Sequence, residues 1–135
     1  MSLLNVHQAL EAAALAALTT IPVEHENVEI TKPTAAKWSQ LFFLPNVPSV
    51  ETLGDEGEDL ADGIYQININ YPRNTGDSAA RVDFEAVRAA FPAGTKYTNA
   101  GQVVTIRNCG RSQGRTVDNW YRVSITVGWE ALIPR

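Results

Sequence analysis

The sequence predicts a single α+β domain, a largely antiparallel mixed sheet with two main helices packed on it. Three observations predict it. Two stretches place apolar residues at three- and four-residue steps, and several others alternate apolar with polar residues at every second position. The length of 135 residues, with 44% hydrophobic and 19% charged residues, suits one globular unit that needs no disulfides to hold a core.

The first helix runs from about Leu3 to Thr19, because Leu3, Val6, Leu10, Ala13/Ala14, Ala17 and Leu18 share one face. Alanine at many other positions favours helix. Ser2 or Asn5 caps it, Asn5 having Gln8 at capping-box spacing, and Pro22 stops it. Residues 23–37 are extended or irregular, with Val28 and Ile30 alternating about Glu29. From Lys37 to Leu44, Trp38, Leu41, Phe42, Phe43 and Leu44 give a mostly buried strand, ended by Pro45 and Pro48. Glu51–Asp62 holds six acids in twelve residues with Gly54 and Gly57, and is expected to be an exposed, flexible loop.

The strand Gly63–Tyr71 points Tyr65, Ile67, Ile69 and Tyr71 one way and Gln66, Asn68 and Asn70 the other, as in an antiparallel sheet with one covered face. After a turn at Pro72–Gly76, a second helix opens at Asp77 or Ser78 and runs to about Phe91. Ala80, Phe84, Val87 and Phe91 line its inner face, and Arg81 and Glu85 form an i,i+4 pair on the other. Pro92 and Gly94 end it. Strands at Gln102–Arg107 and Trp120–Trp129 complete the domain, the latter with Val123, Ile125, Val127 and Trp129 on one face. Between them Cys109–Asn119 reads as a loop containing Gly and Arg.

The net charge of −4 argues against a nucleic-acid binder at the level of the whole chain. Its distribution is uneven. Residues 1–62 carry ten acids against two bases, and residues 63–135 carry nine bases against five acids. Such a split either folds together into a mixed surface within one domain or gives a subunit oppositely charged patches that can meet across a contact between copies. The single cysteine, Cys109, excludes an internal disulfide and a multi-cysteine zinc site, and suits a reducing compartment. The apolar run from Ala9 to Leu18 is interrupted by Glu11 and preceded by no Lys or Arg, so neither an export signal nor a membrane span is expected.

Catalytic patterns are few. Gly110-Arg111-Ser112-Gln113-Gly114 matches a G-x-S-x-G elbow, which makes a small serine hydrolase an alternative. That elbow requires a helix after the serine and a histidine later in the chain, whereas His7 and His25 both precede it. The two histidines belong to no metal-binding spacing. The carboxylates at 55–62 lack the alternate-position pattern of a calcium loop. Arg107 and Arg111 flank Cys109 and would favour its thiolate, but no base partner is evident. Gly54-x-x-Gly57 sits among carboxylates that repel phosphate. No cofactor is expected.

An ordered series of spaced residues is more informative. Trp38, Thr52-Leu53-Gly54, Gly63 before Gln66-Ile67, Pro72 with Gly76, the Ala79–Phe91 helix ending in Pro92-Ala93-Gly94, and Trp120, Val123, Ile125 and Trp129 resemble the phage tail-terminator-like family from the first helix to Trp129. The resemblance implies a non-enzymatic assembly protein that forms a hexameric ring. Such a ring caps the tube of major tail protein, stops its polymerisation and offers a surface to the head-completion proteins, with DNA passing through its lumen. It also implies assembly in the host cytoplasm and residence in the virion tail. A head-to-tail connector is the alternative within the same class.

A ring is built from heterologous contacts, in which one patch meets a different patch on the next copy. The charge split suggests that the acidic loop, with Asp55, Glu56, Glu58 and Asp59, faces Arg107, Arg111 and Arg115 of a neighbour. Apolar area for such a contact would come from Trp38, Trp120 or Trp129, each of which also suits the core.

Overall fold

The computed structural model describes residues 2–33 and 36–135. In chain order it contains α1 (Leu3–Ala17), β1 (Val23–Glu24), β2 (Trp38–Pro45), β3 (Ser49–Val50), β4 (Glu58–Pro72), α2 (Ser78–Ala90), β5 (Lys96–Asn99), β6 (Gln102–Arg111), β7 (Arg115–Val117) and β8 (Trp120–Pro134). The strands form one sheet in the order β1-β2-β4-β8-β6-β5, with β3 added to β4 and β7 to β8. The β1–β2 pair is parallel and the other pairs are antiparallel, so the sheet is mixed and the fold is α+β.

The centre of the sheet is the β4–β8 pair, two strands of 15 residues that run side by side from Glu58↔Pro134 to Pro72↔Trp120. Register puts Tyr65 opposite Val127, Ile67 opposite Ile125 and Ile69 opposite Val123, so both alternating patterns bury the same face. Val6, Leu10 and Ala14 of α1 and Ala80 and Val87 of α2 cover that face, together with Phe91 just after α2. Trp129 is fully buried there and stacks on Phe43 at 5.3 Å. On α1, Ser2 is the cap, its hydroxyl accepting from the Asn5 amide at 3.3 Å.

Several boundaries differ from the sequence reading. The predicted acidic loop ends at Gly57, because Glu58–Asp62 pairs with Glu130–Pro134 and extends β4. Two of its acids meet cations of the same chain, Asp59 with Arg135 and Asp62 with Arg107, which offsets the repulsion expected of an acid run in a strand. The predicted loop at 109–119 is mostly strand: β6 continues to Arg111 and β7 forms a hairpin with β8 across Asp118-Asn119, with Asp118 at φ +54°. The short strand β5 was not anticipated; it joins β6 through Ala100-Gly101, both at positive φ. Among the described residues of the 23–37 segment, extended pairing falls at Val23–Glu24 and not at Val28–Ile30; residues 34 and 35 of that prediction lie outside them.

The expected Arg81–Glu85 pair is replaced. Arg81 reaches back to Asp77 at 2.9 Å, and Glu85 lies 3.9 Å from Arg88. The Asp77 carboxylate also accepts from Arg111 of β6 and from the Tyr121 hydroxyl of β8, tying the start of α2 to the sheet. Further along α2, Asp83 accepts from Lys37 and from the Tyr71 hydroxyl at 2.8 Å. Burial, then the Asp83 hydrogen bond, pushes the Tyr71 phenol far above its ordinary range, so it stays a neutral donor.

Candidate assembly interface

The face of the sheet opposite the helices is polarised along the strands. Fifteen residues of β4 span on the order of 45–50 Å of chain, so its two ends are well separated. At the Glu58/Pro134 end, β3, the start of β4 and the end of β8 form a tongue together with residues 51–57. One side chain makes most of the side-chain hydrogen bonds across this tongue. The Arg135 guanidinium donates to the carbonyls of Thr52, Gly54 (2.7 Å) and Glu58 (3.1 Å) and to the Asp59 carboxylate, while the Arg135 amide donates to the Gly57 carbonyl at 2.9 Å. The Thr52 hydroxyl accepts from the Glu58 amide at 2.6 Å. A Cβ at Gly57 would collide with Arg135 and Thr52, so glycine is required there by space. Residues 51–57 are the exposed loop the sequence predicts, closed by a turn in which the Gly57 amide donates to the Gly54 carbonyl at 3.1 Å.

The seven residues predicted to form the contact fall into different settings. Asp55 and Glu56 lie exposed at the tip of the tongue and Glu58 is half-buried at its base. Asp59 pairs with Arg135 of its own chain. Arg107 lies on Asp62 at 3.2 Å and beside Glu130 at 4.0 Å, so part of the predicted complementarity is met within one subunit. Arg111 points to the helix side, 3.3 Å from Asp77. Arg115 is exposed, with a 3.3 Å hydrogen bond to the Ser124 hydroxyl.

An apolar component escaped the sequence reading. Leu53 (91% exposed) stands in the turn at the tip of the tongue, Val50 (63%) on its β3 edge opposite Asp59, and Val47 (90%) at its base in the β2–β3 connection; Leu44 of β2 and Leu132 of β8 are exposed as well. The signal was available as Val47, Val50 and Leu53 at three-residue intervals inside an acidic, Pro-containing segment, where solvated side chains are expected.

The other end of β4–β8 is basic and aromatic. Trp38 and Trp120 meet edge to face at 5.8 Å, and the Lys32 ammonium lies 5.3 Å from the Trp38 ring centre. An open cleft of 470 Å³ is lined by Lys32, Pro33, Pro72, Arg73, Asn119 and Trp120. Beside it Arg115 and Arg122 stand directly opposite each other across β7 and β8. Burial, and then the charge of Arg115, pull Arg122 below its ordinary range. Trp38 and Trp129 are buried and Trp120 is half-buried, so Trp120 is the tryptophan with surface to offer.

The catalytic candidates are placed apart. Ser112 lies between β6 and β7, where its hydroxyl accepts from the Ser124 amide at 3.1 Å. His7 and His25 both face Glu11, at 3.2 and 3.6 Å, with His7 stacked on Phe43. Burial pushes the Cys109 thiol up, the nearby cation being Arg88 of α2 and not the flanking arginines of the sequence. Among the described residues no group of three or more His, Cys, Asp and Glu side chains is arranged to hold a metal ion.

Asp77 supplies a test of the sheet–helix anchoring. Hydrogen bonds from Arg81 and Tyr121 hold its carboxyl below the ordinary value. A carboxyl lowered in the folded state stabilises above its unfolded value and loses that contribution as pH falls through its folded one. Asp77→Asn is therefore expected to lower the melting temperature at neutral pH, with the gap to wild type narrowing below about pH 4. A gap that stays constant across a pH series would contradict the assignment.

Comparison with known proteins adds what geometry alone does not. Residues 5–129 match the family described as phage tail terminator protein. The chain belongs to the phage tail terminator protein family. The match runs from the first turn of α1 to Trp129, and the family's role is structural, in the phage tail. One solved structure is 25% identical to this family member, with a TM-score of 0.76, over 97% of this chain and 96% of the other. A second, from the virion of a native gene transfer agent particle, is 19% identical with a TM-score of 0.53, over 97% of this chain and 92% of its own, and shares the fold. No curated protein matches the chain. Among the described residues no helix of this terminator-family protein is long and apolar enough to cross a membrane.

Proposed function

We propose that this protein caps the phage tail tube, stops its polymerisation and joins it to the head-completion proteins, acting as a ring of identical subunits, with six as the number the family resemblance implies. The family match over residues 5–129 carries this reading. The polarised sheet supports it, since a subunit with an acidic apolar projection at one end and a basic aromatic cleft at the other suits a heterologous, closing assembly. The partners are further copies of the chain, the major tail tube protein and the head-completion proteins, with DNA passing through the lumen without sequence-specific contacts. The protein assembles in the host cytoplasm and remains in the virion tail. It works by binding, with no chemical step.

Removing its gene from the producing phage or prophage is expected to yield overlong, unjoined tubes in electron micrographs, and resupplying the gene to restore a uniform length. Tubes of normal length that join heads without it would contradict the proposal.

A further inference from the structure

Two surfaces of the chain remain unexplained by its own folding. The first is the tongue, where Leu53 is almost fully exposed beside Asp55 and Glu56 in the turn and Val50 is exposed on the adjoining β3 edge. Large apolar side chains on a hydrogen-bonded, pre-formed turn are suited to docking, because little ordering remains to be done on binding. The second is the cleft of Lys32, Pro33, Pro72, Arg73, Asn119 and Trp120, flanked by Arg115 and Arg122. Like charges directly opposite each other on neighbouring strands repel. Asn70 accepts from Arg122 and Ser124 accepts from Arg115, neither of them charged, and the carboxylate of Asp118 offsets less at Arg122 than burial and Arg115 impose. A carboxylate brought in from outside would relieve that repulsion.

The two surfaces are opposite in charge, each has apolar or aromatic area, and they lie at opposite ends of the same pair of strands. We propose that the tongue of one subunit seats in the cleft of a second copy of the chain, Leu53 and Val50 packing toward Trp120 while Asp55 and Glu56 face Arg73 and Arg115. This rests on the ring reading above and specifies its contact. It also revises the contact expected from the sequence: Arg115 and the tongue tip remain in it, while Arg107 and Arg111 are engaged within their own subunit. Arg135 is a positioning residue, since its guanidinium bridges Thr52, Gly54, Glu58 and Asp59 and so fixes the tongue that is presented. Charge sets the register and the apolar residues supply affinity, so the association weakens as salt is raised.

The test uses two charge-reversed proteins. One carries Asp55→Arg and Glu56→Arg in the tongue, the other Arg73→Glu and Arg115→Glu beside the cleft. All four positions are exposed, and matching melting temperatures check that both proteins fold. By sedimentation at low salt, the wild type is expected to form a closed oligomer. Each variant alone, now presenting like charges at both halves of the contact, is expected to associate at least about tenfold more weakly. Mixing the two restores opposite charges at every contact and is expected to recover the wild-type mass. A wild type that stays monomeric at the highest attainable concentration overturns this contact as a self-association and leaves the ring reading to be judged by tail length. Variants that keep the wild-type mass, or a mixture that fails to recover it, overturn this contact alone and leave tube termination to be judged by tail length. Retained mass would also be the outcome if the tongue served a different tail protein.

Discussion

Trp129→Ala is expected to lower the unfolding free energy by about 3–5 kcal/mol, the loss typical of deleting a large buried aromatic. Trp129 is fully buried, and its ring stacks on Phe43 at 5.3 Å, which in turn stacks on His7 of α1 at 4.9 Å. Removing the indole therefore opens a cavity where β8 meets β2 and α1. Trp120→Ala gives the contrast. Its edge contact with Trp38 is worth about 1 kcal/mol, so the fold should tolerate its loss. Urea unfolding followed by circular dichroism measures both. Equal costs for the two substitutions would contradict the assignment of Trp129 to the core and Trp120 to the surface.

The second large effect separates folding from assembly. Arg111→Glu is expected to destabilise the monomer by about 2–3 kcal/mol, because it removes a charged hydrogen bond to Asp77 and sets a second carboxylate beside it. Arg115→Glu is expected to leave stability within about 0.5 kcal/mol of wild type, as is usual for an exposed position. Its effect should appear in self-association. From sequence the two arginines look equivalent, four residues apart in one basic stretch. Similar melting temperatures for the two variants would contradict the placement of Arg111 against α2.

The reason they differ shows where sequence reading stops. Val104 and Ile106 face the helices, and strict alternation from them would bring positions 108 and 110 inward. A bulge between Ile106 and Asn108 shifts the register by one, so Cys109 and Arg111 pair with Val127 and Ile125 and turn to the helix side instead. Nothing in the local composition announces that bulge. The β4–β8 pair was legible because Tyr65, Ile67, Ile69 and Tyr71, and Val123, Ile125, Val127 and Trp129, alternate without interruption. The strand β5 was not, since Lys96-Tyr97-Thr98-Asn99 has one large apolar residue and depends on its two-residue turn to β6.

The candidate contact was legible in outline. Charge arithmetic located the acidic tongue and the basic half of the chain, and Arg115 belongs to both the predicted and the structural patch. The cleft was not visible, because Lys32, Arg73 and Trp120 come from separate segments that only the sheet brings together. The exposed apolar tip was hidden for a different reason. Val50 and Leu53 pass as ordinary loop residues until the β3–β4 pairing and the Arg135 bonds place them on one projecting hairpin. Pattern reading recovers what is repeated along the chain and misses what distant side chains impose.

The most direct test of tube capping is to add the purified protein to major tail protein that is polymerising from a tail-tip initiator, and to image the tubes by electron microscopy with the added chain labelled. The account predicts that elongation stops once the protein is added at the tube's working length, with label at the end distal to the initiator. Tubes that keep lengthening at the rate seen without it, or label spread along their sides, would contradict it.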